Sequence, residues 1–117
     1  MKHSILITLP LKDRHIEKIR SAFPDAAIHH HPGDNSVTEH HPECTIYLGI
    51  PTKDELTASP DITFIQAGYA GVDQIPLNYL QGSGTIIASA KGIHNTQMSE
   101  LFFAMVLYCG RNMGAWL

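Results

Sequence analysis

Short apolar runs closed by turn residues alternate along this chain with stretches of helical period. Ser4-Ile-Leu-Ile-Thr-Leu9, ended by Pro10, reads as a first strand. From Leu11 to Phe23, Ile16, Ile19 and Phe23 share one helical face, and Lys12, Asp13, Glu17, Lys18 and Arg20 fall mostly on the other, which predicts an amphipathic helix. Pro24 ends it. Ala26-Ala-Ile-His-His30 is a weaker second strand, and the polar stretch from His31 to Glu43 is either a loop or a loop with one short helix. Cys44-Thr-Ile-Tyr-Leu-Gly49 is the third strand, after which Thr52-Lys-Asp-Glu55 fits a capping box at the start of a short helix. Ile62-Thr-Phe-Ile-Gln66 is the fourth strand, Val72 to Leu80 a helical connection interrupted by Pro76, and Thr85-Ile-Ile-Ala-Ser89 the fifth strand. A long apolar helix is predicted from near Gln97, capped by Asn95 and Thr96, with Gly110-Arg-Asn-Met-Gly114 as its fraying end or a hinge.

Strands joined by helical connections of about 8 to 20 residues predict a parallel sheet with helices on both faces. Ligands of such sheets bind beyond the carboxyl ends of the strands, which places Leu48 to Pro51, Ala67 to Gly71 and Ala90 to His94 at one rim. The 117 residues, 44% of them hydrophobic, suffice for one domain with a real core. A net charge of −3 without long runs excludes a dedicated nucleic-acid surface. The apolar stretch at the amino terminus is too short for a signal-peptide core, and the run from Leu101 to Cys109 is about half a membrane span, so a soluble, cytoplasmic protein without a membrane partner is expected. Cys44 and Cys109 lie in apolar segments and read as buried free thiols.

Candidate chemistry concentrates after the fourth and fifth strands. Ala67, Gly68, Ala70 and Gly71 let the main chain turn tightly around Tyr69 and expose its N–H groups, which can hold an anion; the competing reading is a tight connection with no ligand. A helix starting at Val72 would add its positive end, with Asp73 stabilising that start. Gly92 is the turn residue of the second loop. Tyr69 either lids the cleft or covers apolar surface, and Glu100, within the most apolar helix, calls for hydrogen-bond donors from nearby backbone or another domain. The histidines at 29, 30, 31, 40 and 41 lack helical i, i+4 spacing and a Cys partner, and adjacent strand histidines point to opposite faces, so weak adventitious metal binding is expected rather than a designed site. No G-x-G-x-x-G occurs.

Three pieces together, Ala70-Gly-Val-Asp73, Gly92-Ile-His94 six residues before Glu100, and the apolar helix Leu101 to Cys109 ending in Gly110-Arg111, carry a family signal. In them the stretch from Phe64 to Arg111 resembles the amino-terminal domain of the D-isomer-specific 2-hydroxyacid dehydrogenases; residues 1–63 match only in their alternation of strands and helices. The resemblance implies a five-stranded sheet in flavodoxin-like order, in agreement with the independent strand count. It also implies that residues 1–117 are the substrate-binding domain of a two-domain, homo-oligomeric enzyme that interconverts small 2-hydroxy and 2-oxo acids with NAD or NADP. The second, dinucleotide-binding domain would carry the Gly-rich fingerprint and the catalytic Arg, Glu or Asp, and His, so this chain holds no catalytic residue and is expected to be inactive alone. Family members hold the substrate carboxylate on main-chain N–H groups of the turn that here comprises Gly68, Tyr69, Ala70 and Gly71. His94 aligns with a position where many members carry Asn, and either orients substrate or lines the nicotinamide side of the cleft, or is a cap-region histidine bonded to backbone. The alternative function is a stand-alone flavodoxin-like binding or regulatory module with an anion pocket and no catalysis.

Overall fold

The five apolar runs do become strands in a computed structural model that describes residues 3–32 and 41–116. They are β1 Ser4–Ile7, β2 Ala27–His30, β3 Ile46–Leu48, β4 Phe64–Gln66 and β5 Ile86–Ala88. All neighbours are parallel, in the order β2-β1-β3-β4-β5, the flavodoxin-like arrangement. The helices are α1 Asp13–Ala22, α2 Lys53–Ala58, α3 Leu77–Leu80 and α4 Asn95–Gly110, followed by a 3₁₀ turn at Met113–Ala115.

Register sorts the apolar side chains onto two faces. Leu6 lies opposite His29 and Tyr47, Tyr47 opposite Ile65, and Ile65 opposite Ile87. That row packs with Cys44, Ile62, Ile75 and Leu56 of α2, and Leu80 of α3 leans on it. On the other face Ile5 and Ile7 meet Ile16 of α1, with Ile19, Ile28, Ile46 and Leu48 around them. Helices therefore cover both faces. The fit of α1 follows from its amphipathic pattern, with Asp13 in the first turn and Arg20 in the last opposing the helix dipole at each end. Beyond the reach of α1 the register places Ile86 in the row of Phe64 and Ile46, and it is 64% exposed.

Three expectations need correction. No helix starts at Val72: residues 72–75 form a turn closed by the Ile75 N–H donating to the Val72 carbonyl at 3.0 Å, and only Leu77–Leu80 is helical, with Pro76 as its N-cap. Pro76 lacks an N–H and disfavours helical backbone at Ile75, so a helix can start at the proline but not run through it. The last helix begins at Asn95, with His94 as N-cap and no side-chain cap, so Asn95 and Thr96 lie inside it. Finally, Cys44 is buried but Cys109 is exposed. The cause is α4 itself, which projects from the sheet with every residue exposed and packs on the 3₁₀ turn, in a molecule 60 Å long. For the stretch from His31 to Glu43, the loop-or-helix expectation falls at residues 33–40 outside the described residues, and its flanks are turns.

Candidate functional site

The chain leaves β1 toward β2 on one side and reaches β3 on the other, so the loops after β1 and β3 diverge and open a crevice at their carboxyl ends. Thr8, Leu9 and Pro10 from the first loop, Ile50, Pro51 and Thr52 from the second, and Tyr69 and Gln74 from beyond β4 line a cleft of about 700 Å³ there. Thr8 and Gly49 tie the two loops to the sheet: the Thr8 N–H donates to the Leu48 carbonyl at 3.0 Å and the Gly49 N–H to the Gln66 carbonyl at 2.9 Å. Gly49 has φ 145° and a β-carbon on it would collide with Thr8 Oγ1, so only glycine permits this approach.

The wall after β3 is fixed by the capping box. Glu55 Oε2 accepts from the Thr52 N–H at 2.6 Å and from the Thr52 hydroxyl at 2.8 Å, while Glu55 Oε1 accepts from the Tyr47 hydroxyl at 2.9 Å. Glu55 is only 9% exposed, so these charge-assisted bonds replace its hydration. Burial holds the Tyr47 phenol well above its ordinary pKa, and it stays a neutral donor. The capping box read from the sequence is thus present, but it does more than start a helix.

The opposite wall is the turn after β4. Its last ladder bond is the Ala67 N–H to the Ala88 carbonyl at 2.8 Å. The next four amides, of Gly68, Tyr69, Ala70 and Gly71, donate to no acceptor among the described residues. The Tyr69 carbonyl accepts from the Ala90 N–H at 3.0 Å, which joins this turn to the loop after β5, and the exposed Tyr69 ring lines the cleft. The two glycines differ. A β-carbon on Gly68 would drive into Leu9 Cδ2 on the cleft wall, whereas Gly71 has no positive φ and its β-carbon would meet only Asp73 Oδ1, at 2.7 Å. With no helix at Val72, the turn receives no helix dipole, and Asp73 places a carboxylate beside Gly71 instead of capping a helix.

Of the residues predicted to bind substrate, the structure places Tyr69 in the cleft lining and Gly68 against Leu9 of its wall, whereas Ala70, Gly71 and His94 are not among the lining residues. His94 is exposed, and its carbonyl accepts from the Met98 N–H at 2.9 Å in the first turn of α4. Gly92 does turn the loop, with φ 92°. Glu100 is exposed on α4 beside Phe103 and Leu107, without a hydrogen-bond partner among the described residues. Sequence reasoning missed Thr8, Leu9 and Pro10, although the carboxyl-end rule applies to β1 as much as to the strands it was applied to. No helix of the described residues is long and apolar enough to cross a membrane.

No protein-family model and no curated protein sequence matches the chain. Among solved structures it is similar to phosphoglycerate dehydrogenase from Lactobacillus plantarum, with 24% identity over 97% of this chain and 37% of that one, at a TM-score of 0.64. It is similar to NAD+-bound 3-phosphoglycerate dehydrogenase in Entamoeba histolytica, with 14% identity over 92% of this chain and 39% of that one, at a TM-score of 0.70. A glyoxylate reductase from Paecilomyes thermophila matches with 14% identity over 91% of this chain and 38% of that one, at a TM-score of 0.63. The chain thus has the fold of one part of these dehydrogenases and spans less than two fifths of the length of each.

Proposed function

We propose that this chain is the substrate-binding domain of an NAD(P)-dependent oxidoreductase that interconverts 2-hydroxy and 2-oxo acids. The observation that carries the reading is the run of four amides, Gly68 to Gly71, that donate to no acceptor among the described residues, on the turn whose Tyr69 lines the switch-point cleft. Backbone N–H groups without acceptors among the described residues, on a turn fixed at both ends, are suited to a carboxylate, and they select charge and shape without regard to side chains. Tyr69 flanks the bound acid, and the wall held by Glu55 limits its reach toward α2.

The dinucleotide, when bound, supplies or accepts the hydride at C2 of the acid. This chain has no Gly-rich phosphate loop, so its residues do not hold the dinucleotide's phosphates, and that task belongs to a second domain. The Arg that polarises the carbonyl and the His that moves the proton belong there too. The loop after β5, which carries His94, is joined to the turn by the Ala90 N–H donating to the Tyr69 carbonyl, and in this reading His94 meets the nicotinamide side once that domain closes. The exposed apolar helix α4 is its seat or that of a partner subunit.

The reading is tested by titrating pyruvate and glyoxylate into the isotope-labelled chain and following its amide resonances. The amides of Gly68 to Gly71 are expected to shift with the acids and not with methyl pyruvate, which lacks the charge. Unmoved turn amides would remove this site from the reading. NADH should show no submillimolar binding to the chain alone by calorimetry; such binding would refute the assignment of the dinucleotide to a second domain.

A further inference from the structure

At the β2 edge of the sheet, from residues that are not in the cleft lining, three imidazoles and a carboxylate converge. Strand alternation separates neighbours in β2: His30 turns to the α1 face, where its Nε2 donates to the Leu9 carbonyl at 3.1 Å, and His29 turns to the face of Leu6. The segment entering β3 brings His41, 6% exposed, back against that same face. The His29 and His41 rings lie 4.0 Å apart between centroids, and His31 Nε2 is 3.0 Å from His41 Nε2. Glu43 completes the group, with Oε1 3.2 Å from His29 Nε2 and 3.7 Å from His41 Nδ1.

We propose that His29 Nε2, His41 Nδ1 and the Glu43 carboxylate form a binding site for a divalent transition-metal ion of the zinc class. The three donor atoms lie within 4.8 Å of one another. Ligands about 2.0 to 2.2 Å from a tetrahedral ion stand about 3.3 to 3.6 Å from each other, so the two measured carboxylate separations are near the coordinated geometry and small ring rotations close the third. His29 Nε2 supplies an independent sign: it is buried and makes no hydrogen bond of adequate geometry even to the carboxylate oxygen beside it. Such an atom is costly unless a ligand engages it. Two imidazoles and one carboxylate suit zinc and its neighbours, whereas magnesium and calcium require oxygen donors throughout.

The surroundings fit the same role. With the metal on His41 Nδ1, its Nε2 carries the proton and donates to His31 Nε2, which orients the ligand ring. The Glu43 side chain is 53% exposed, so solvent can supply a fourth ligand. The ion would clip the edge strand β2 to the entry of β3, two elements that do not pair with each other. The site does not depend on the proposed dehydrogenase reading.

The test is calorimetric titration of zinc into the chelator-treated chain, paralleled by the visible spectrum of the cobalt(II) form. One equivalent is expected to bind at low micromolar concentration or tighter, with cobalt bands of four- or five-coordinate intensity. Glu43→Gln, at an exposed position where folding is not at stake, and His29→Gln should each weaken zinc at least about tenfold and erase the cobalt bands. His15→Gln, outside the cluster, should leave both unchanged. Absence of stoichiometric binding in the wild type, or equal affinity in Glu43→Gln and His29→Gln, would show that zinc meets scattered surface histidines only and would overturn the site.

Discussion

Replacing Glu55 by Ala should cost far more than its position on a six-residue helix suggests. The carboxylate accepts three hydrogen bonds, from the Thr52 N–H at 2.6 Å, the Thr52 hydroxyl at 2.8 Å and the Tyr47 hydroxyl at 2.9 Å. Loss of the capping box costs about 1 kcal/mol. Tyr47 is 1% exposed, so its hydroxyl is left buried without its carboxylate acceptor, at about 1 to 3 kcal/mol. Relief of the buried charge offsets part of this, which leaves about 2 kcal/mol, a sizeable share of the ~5 to 15 kcal/mol that holds such a domain together. Glu55→Gln keeps one acceptor oxygen and remains compatible with a capping box, so about 1 to 2 kcal/mol is expected. Tyr47→Phe removes a donor and leaves the carboxylate its Thr52 partners, at about 1 kcal/mol. Combined, Glu55→Ala and Tyr47→Phe should cost less than the sum of the two, since no hydroxyl is then stranded. Denaturant unfolding followed by far-ultraviolet circular dichroism measures all four. A Glu55→Ala variant within about 0.5 kcal/mol of wild type, or strict additivity in the pair, would refute the stranded-hydroxyl argument.

The two thiols should part in reactivity: Cys109 is exposed and should react with a disulfide reagent at once, while Cys44, buried and pushed up to about 11, should react only on unfolding. The same shift makes stability fall as pH rises from about 9 to about 11, because the unfolded thiol ionises first; about 2 to 3 kcal/mol is at stake, and a Cys44→Ala variant should lose that part of the alkaline slope in denaturation measured across the window. Gly68→Val should destabilise by about 1 to 3 kcal/mol through the clash with Leu9 and, under the proposed function, raise the KM of the full-length enzyme for a 2-oxo acid, whereas Gly71→Ala should leave both near wild type; the reverse order would mean that the turn is held differently. The chain alone should self-associate or bind an apolar dye through Leu101, Phe102, Phe103, Met105 and Val106, and a monomer in light scattering with no dye binding would count against a covering partner for α4.

The strands were legible because each is an apolar run cut off by Pro, Gly or a polar turn, and the parallel order followed once helices were read between them. What failed is instructive in physical terms. The segment Val72 to Leu80 has a helical composition, yet Pro76 fixes where a helix can begin, and a local steric rule outweighs the period. Cys109 sits among the most apolar residues of the chain and was expected to be buried, but apolar sequence says that a helix needs cover and not that its own domain supplies it. The loop Thr8 to Pro10 carries no glycine and no charge, and it became visible as a wall of the cleft only through strand order. His29, His41 and Glu43 come from two segments joined through the β2, β1, β3 neighbourhood, a relation that no local spacing can express.

The two walls of the cleft are built on opposite principles, and this bears on how the site would work. Around Glu55 the donors of Thr52 and Tyr47 are all satisfied, and Glu55 and Tyr47 are buried although Thr52 is exposed, so that wall is set before any ligand arrives. Around Gly68 to Gly71 the donors have no acceptor among the described residues, and Tyr69, Ala70 and Gly71 are exposed, so hydration of these amides keeps the cost to the folded chain small. An acid binding there trades one set of hydrogen bonds for another, and a net gain of about 0.5 to 1.5 kcal/mol per bond is soon consumed by the freedom that the ligand loses. The same bonds strengthen once water is excluded, because the local dielectric falls. The open cleft therefore offers selectivity with little affinity, and tight binding requires that something close over Tyr69 and the turn. Under the proposed function, burial of the apolar surface of α4, unused by its own sheet, against a second domain would supply the energy of such a closure and would couple substrate capture to the arrival of the dinucleotide.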